Sequence, residues 1–217
     1  MMTRAYSESY LSDAAENLGD MLAYAVNDCG YDVDVFFGWF IMSGLADQFG
    51  NGNPKYIAGL SGIELAREVV FQASGIRPVE EATQDIDKDA NYWAGWALAY
   101  YQWSSGFRFA DLVRCGLTVS KVRSLYILHE ADISKFIEVA DGIIAATMKA
   151  QPTRLKTIRK ARGFTQQELS DASGVTLRMI QLYEQRRNNI NEASAASVIR
   201  LANALGCQPI DMMEPTQ

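Results

Sequence analysis

Side chains that carry covalent chemistry are sparse and scattered in this sequence. The single histidine, His129, sits in LHEAD with Glu130 and Asp132 beside it, and Cys29, Cys115 and Cys207 lie far apart. Metal binding draws several ligands to one point, commonly further His or Cys; a lone histidine at a helix end is more often a satisfied surface or core residue. An odd cysteine count without a CxxC argues against a disulfide framework and against a zinc site. The sequence holds no GxSxG, no phosphate-cradling GxxxxGKS/T and no HExxH. Its carboxylates fall in charge runs, whose usual meaning is a solvated face. No catalytic residue, metal or cofactor is expected, so the chemistry to look for is recognition by hydrogen bond and charge.

That chemistry concentrates in FTQQELSDASGVTLRMIQLYEQRR, residues 164–187. Thr165 and Glu168 have the capping-box spacing, in which each side chain satisfies an orphan N–H of a helix's first turn. Leu169 and Ala172 are expected to face inward. Gly174 supplies the positive φ that a tight turn between two helices requires, and Thr176 caps the helix that follows. The pattern buries Ile180 and Tyr183 and projects Leu177, Arg178, Gln181 and Leu182 outward. Ahead of this pair, RLKTIRKARG puts Leu155 and Ile158 on one face, sets Lys156, Arg159, Lys160 and Arg162 around the rest, and ends at Gly163.

With LKTIRKARGFTQQELS, GVTLRMIQLYE and VIRLANALGCQPIDMM in that order, residues 154–213 resemble the XRE-type, lambda-repressor/Cro-like helix-turn-helix domain. The resemblance implies a five-helix bundle that binds double-stranded DNA, mostly as a homodimer on two half-sites. Gln166 matches a glutamine that braces the phosphate backbone. Thr176, Leu177 and Arg178 match positions that approach base edges, and Gln181 and Leu182 match deeper reading positions. An arginine at 178 can fork onto guanine O6 and N7, and a glutamine at 181 can pair with adenine. Arg159 and Glu184 match a structural ion pair that ties the first helix to the end of the third. Arg186, Arg187 and Asn189 fall where the family's loop meets phosphates. There are two departures. Leu177 and Leu182 stand where polar residues are common, and Leu177 suits either a thymine methyl or packing. The glycine usual two places after the Glu184 position is Arg186, so Asn188 or Asn189 is expected to take the left-handed conformation instead.

The elements around this module account for the rest of the chain. Its 217 residues carry a net charge of −6, yet the charge is uneven. Through Gln151 there are 11 Lys+Arg against 20 Asp+Glu; from Pro152 there are 9 against 6, so the C-terminal module is net positive. Pro152 cannot continue a helix interior, and it marks the expected boundary between an acidic domain, 1–150, and a DNA-binding domain, 152–217. Residues 1–150 read as helical almost throughout. Leu11, Ala14, Leu18, Leu22 and Ala25 recur at three and four, the period of one buried helical face. A second helix starts near Asp32 and runs, apolar on most sides, to Gly50. A third opens on the capping box Ser61–Glu64 and ends at Gly75. IRPVEEATQDIDKD reads as a polar surface connection.

In NYWAGWALAYYQW, Tyr92, Trp96, Tyr100 and Trp103 share one face, with Trp93, Ala97 and Tyr101 beside it. This suits a core or dimer helix better than an aromatic-lined ligand pocket. Three more helical stretches lie around FADLVRC, SKVRSLYILHE and DISKFIEVADGIIAATMKA. CGLTVSKVRSLY spaces Gly116 and Thr118 as Gly174 and Thr176 are spaced. Asp111 stands where Leu169 should be, however, and Tyr126 where Glu184 should be, so chance similarity explains it better than a repeat.

The expected fold class is all-α: an N-terminal helical domain followed by a five-helix, lambda-repressor-like helix-turn-helix domain. No apolar run reaches the roughly 18–20 residues of a membrane span, and MMTRAYSESY lacks a signal peptide's apolar core; a cytoplasmic location is expected. The expected function is a sequence-specific transcriptional regulator, a repressor in the first instance. The alternative is the antitoxin of a toxin–antitoxin operon, whose N-terminal domain neutralises a toxin while the helix-turn-helix autoregulates transcription. The composition of residues 1–150 suits dimerisation, small-effector sensing or partner binding.

Overall fold

Helix boundaries follow capping residues along much of the chain. The computed structural model describes residues 4–83 and 88–214 and contains only helices, turns and irregular segments there. In chain order the helices are α1 (Leu11–Ala23), α2 (Val33–Met42), α3 (Leu45–Gly50), α4 (Gly62–Ser74), α5 (Ala90–Ser105), α6 (Phe109–Arg114), α7 (Val119–Arg123) and α8 (Ile133–Ala150). They are followed by α9 (Arg154–Ala161), α10 (Gln166–Ser173), α11 (Leu177–Glu184), α12 (Ala195–Leu205) and α13 (Pro209–Met212). Contacts divide the chain into two units, the described residues up to Ile144 and those from Ala145 onward, the division falling within α8.

In the first unit α1 packs along α5 at backbone distance. A Cβ added at Gly95 would lie 2.3 Å from the Leu18 carbonyl oxygen, and one at Gly19 would lie 2.7 Å from the Tyr92 ring. Gly62, at the start of α4, meets α1 the same way, 2.5 Å from the Asn17 carbonyl oxygen. Only glycine permits these approaches, because any side chain would overlap its neighbour. Ser61 and Glu64 form the capping box of α4, and Gly75 closes that helix with φ of 75°. On α1, Ala14, Leu18 and Leu22 are buried, as is Ala25 just beyond it.

The apolar stretch after Asp32 differs from the single helix expected through Gly50. Asp32 caps α2, accepting from the backbone N–H groups of Asp34 and Val35. The helix then stops, because Gly44 adopts φ of 76° and the Ser43 hydroxyl donates to the Phe40 carbonyl. α3 is a separate helix. The turn lets Phe37 and Phe40 of α2, Phe49 of α3 and Phe109 of α6 meet with ring centroids 5.6–6.1 Å apart, edge-on or tilted, the arrangement favoured by ring quadrupoles.

α5 is a core helix. Tyr92, Trp93, Tyr101 and Trp103 are buried, while half-buried Trp96 and Tyr100 stack on each other at 5.8 Å. α8 lays Phe136, Ala140 and Ile144 inward. Phe136 sits edge-on to Trp93, and Tyr101 donates its hydroxyl to Asp141 at 2.5 Å. Burial and this carboxylate hold the Tyr101 phenol well above the usual tyrosine range. Of the connection IRPVEEATQDIDKD, residues 84–87 lie outside the described residues; the part before them is tied down by Glu80, whose carbonyl accepts from Tyr24 and Arg67.

His129 stacks on Tyr126 with centroids 4.2 Å apart, and its Nδ1 lies 2.7 Å from the Tyr126 carbonyl oxygen. Among the described residues no cluster of His, Cys, Asp or Glu is arranged to hold a metal ion. No described helix is long and apolar enough to cross a membrane.

The second unit gathers α9–α13 around a small core of Leu155, Leu169, Val175, Ile180, Tyr183, Ile190, Val198, Leu201, Leu205 and Met212, against which partly buried Ile158 and Met179 pack.

Candidate nucleic-acid interface

The pair α10–α11 is set up by side chains bonding to backbone. Thr165 caps α10, and its own N–H donates to Glu168 at 2.7 Å, completing the box. These bonds to the charged form hold the Glu168 carboxyl below its ordinary range. Leu169 is fully buried. Ala172, expected to face inward, is exposed; Ser173 is the buried residue. A hydroxyl succeeds there because it donates to the Leu169 carbonyl at 2.6 Å and accepts from the Val175 N–H at 3.2 Å, satisfying the turn from within. Gly174, with φ of 66°, reverses the chain, and Thr176 caps α11 by accepting from the Met179 N–H.

On α11, Ile180 and Tyr183 anchor the buried face. The opposite face carries exposed Thr176 and Arg178, with Leu177, Gln181 and Leu182 half-buried beside them. Arg178 has no ion-pair partner among the described residues. The far end of the helix is fixed by charge. Arg159 of α9 donates through Nε to Glu184 Oε1 at 2.6 Å and through Nη2 to Oε2 at 2.8 Å, and its Nη1 donates to the Phe164 carbonyl at 2.6 Å. Gln166 Nε2 donates to the same Oε2 at 2.8 Å. The two charged side chains are 8% and 2% exposed. The contact with Glu184 raises the Arg159 pKa further, against the opposing effect of burial. Such a pair adds little to stability compared with an apolar isostere, but breaking it strands a buried charge. It therefore fixes where α11 sits.

The loop after α11 departs from the sequence expectation. Neither Asn188 nor Asn189 takes the left-handed conformation; Arg186 does, with φ of 54°. An arginine there carries strain on the order of 1 kcal/mol or more. Its side chain supplies the compensation: Nη1 donates to the Gln151 carbonyl at 2.8 Å and Nη2 to Glu214 at 3.1 Å. Glu214 also accepts from the Arg154 N–H at 2.7 Å, and its backbone pairs with Asn191. Asn189 is likewise engaged internally, accepting from the Asn191 N–H and donating to Glu192. Arg187 is exposed and without an ion-pair partner among the described residues. All the residues singled out in the sequence for contact with DNA keep accessible surface: Thr176, Arg178, Arg187 and Asn189 are exposed, and Gln166, Leu177, Gln181, Leu182 and Arg186 are half-buried. Gln166, Arg186 and Asn189 are in addition hydrogen-bonded to neighbours. Glu214, the centre of the loop network, is separated by 28 residues from Arg186 and gives no local signal.

A small helical bundle whose second and third helices meet at a glycine turn and present an exposed, arginine-bearing helix is built to read DNA. Residues 155–211 match the family model described as Helix-turn-helix, which makes the C-terminal region an XRE-type, DNA-binding module of the kind found in transcription regulators. That family is not enzymatic. The N-terminal region is not matched, and no curated protein and no solved structure matches the chain.

Proposed function

We propose that the protein is a sequence-specific transcriptional repressor that binds operator DNA as a homodimer in the cytoplasm. The observation that carries this reading is Arg178, exposed on the first turn of α11 without a carboxylate partner among the described residues, on a helix whose far end is locked by Glu184. An arginine so placed forks onto guanine O6 and N7, Gln181 one turn on suits adenine, and Leu177 and Leu182 suit thymine methyls. Arg187 meets a phosphate, and Gln166, held by Glu184, braces the backbone from the first turn of α10. Arg186 and Asn189 shape the loop that carries Arg187. The acidic N-terminal part repels the duplex over a Debye length of about 8 Å at physiological ionic strength, which suppresses binding to arbitrary DNA.

The test is selection of bound fragments from random duplexes, followed by footprinting. Enrichment of a sequence with two half-sites about one helical turn apart is the expected result; an unenriched pool removes the proposal. A stoichiometric small protein that co-purifies with the native chain, and is released only on denaturation, would move the reading to an antitoxin.

A further inference from the structure

A cleft of ≈ 540 Å³ opens beside the C-terminal end of α11, lined among others by Lys149, Lys156, Gln185, Arg186 and Arg187, with Glu184 in its wall. Two of its charges are already spent. Glu184 is bound by Arg159 and Gln166, and Arg186 by Gln151 and Glu214. That leaves Lys149, Lys156 and Arg187, none with an ion-pair partner among the described residues. Three cations without counter-charge thus face one concavity, in a chain whose net charge is −6. Like charges gathered on a concave wall repel one another and focus a positive potential, which an anion with several oxygens relieves.

We propose that this cleft is a phosphate site, occupied by the backbone of the duplex next to the base pairs that α11 reads. The inference rests on the DNA-binding reading and extends it. Lys149 lies on α8, outside the residues matched by the family model, and Lys156 lies one turn before Arg159 on α9. A phosphodiester is favoured over a free nucleotide because the lining contains no aromatic ring on which a base could stack. Arg187, two residues past the helix end at Gln185, joins the cleft to the reading helix. The end of α8 therefore contributes to the DNA footprint.

The experiment measures binding of the full chain to duplex DNA of mixed sequence by fluorescence anisotropy across a salt series. Variants are Lys149→Gln, Lys156→Gln and the double substitution, with Lys135→Gln on the N-terminal unit as a charge-matched control. Each cleft lysine should flatten the plot of log affinity against log salt by about 0.9, and the double variant by about twice that; the control should leave the slope unchanged. Thermal unfolding of all variants should match the parent. A parallel titration with inorganic triphosphate separates the sources of phosphate. Triphosphate binding that is lost in the double variant, with an unchanged DNA slope, keeps the phosphate chemistry but overturns the backbone as its source. A parent chain that binds DNA with a slope unaffected by either lysine, and that ignores triphosphate, overturns the cleft alone. A parent that binds no duplex at low salt overturns the DNA reading itself.

Discussion

Two turns in this chain are built alike and do different work. Between α6 and α7, Gly116 has φ of 88°, Leu117 is fully buried, and Thr118 caps the next helix through the Lys121 N–H. Between α10 and α11, Gly174 has φ of 66°, Val175 is buried, and Thr176 caps the next helix through the Met179 N–H. After the caps the two diverge. α7 ends at Arg123, and its first turn is held by Asp34 of α2, whose carboxylate accepts from the Ser120 N–H at 3.1 Å. α11 runs on to Glu184, is gripped there by Arg159, and leaves Arg178 in solvent. The glycine turn is thus a way of bending the backbone. Reading requires a helix long enough to present a face and fixed at its far end. α11 has Arg178 in solvent and the Arg159–Glu184 pair, whereas α7 is short and its last residue, Arg123, bonds to Asn91.

The largest expected break of this comparison is Glu184→Ala, which strands Arg159 and leaves Gln166 without its acceptor. It should cost the C-terminal unit on the order of 3–5 kcal/mol in urea denaturation, whereas Asp34→Ala at the other turn should cost only about 0.5–1.5 kcal/mol. Equal losses would mean that the lock does not distinguish the two. Next comes Arg178→Ala. Stability should be unchanged, affinity for the selected operator should fall by ~1–3 kcal/mol, and specificity should relax at one base pair; Arg123→Ala on α7 should leave DNA binding untouched. Gly174→Ala and Gly116→Ala should each destabilise by ~1–2 kcal/mol, since both demand a left-handed conformation. A harmless Gly116→Ala would show that the resemblance between the turns is superficial.

The smallest effect concerns pH. Bonds from Thr165 hold the Glu168 carboxyl below its ordinary value. Its contribution to the start of α10 is therefore complete above the unfolded-state value, about 4.3, and is lost as pH falls through the lower folded value. The cap of α11 has Met179 at the equivalent place and no titrating partner. Amide exchange should consequently accelerate in acid at residues 165–168 but not at 176–179, and Glu168→Gln should abolish the difference.

What could be read from sequence was whatever is encoded within a few residues. The Ser61 and Thr165 capping boxes, the Thr176 cap and the glycines at 75 and 174 all act across one turn of chain, so their spacing is their structure. The break at Gly44 was hidden because the surrounding residues are apolar on nearly every side, which erases the periodicity that would expose a change of direction. Ser173 takes the buried place expected of Ala172 because its hydroxyl bonds back into its own helix and turn, which hydropathy does not register. Arg186 was unreadable for another reason. Its left-handed backbone is tolerated only with Gln151 and Glu214 in place, and those partners are brought together by the tertiary fold.

The seam between α1 and α5 sets a limit on how the chain can vary. Most buried positions accept some exchange of one apolar residue for another of similar volume. Gly19 and Gly95 have no smaller or equal substitute, since even a methyl group would overlap the Tyr92 ring or the Leu18 carbonyl. In a library of random single substitutions, these two positions should stand as gaps among tolerant neighbours, visible without any knowledge of what the N-terminal unit does.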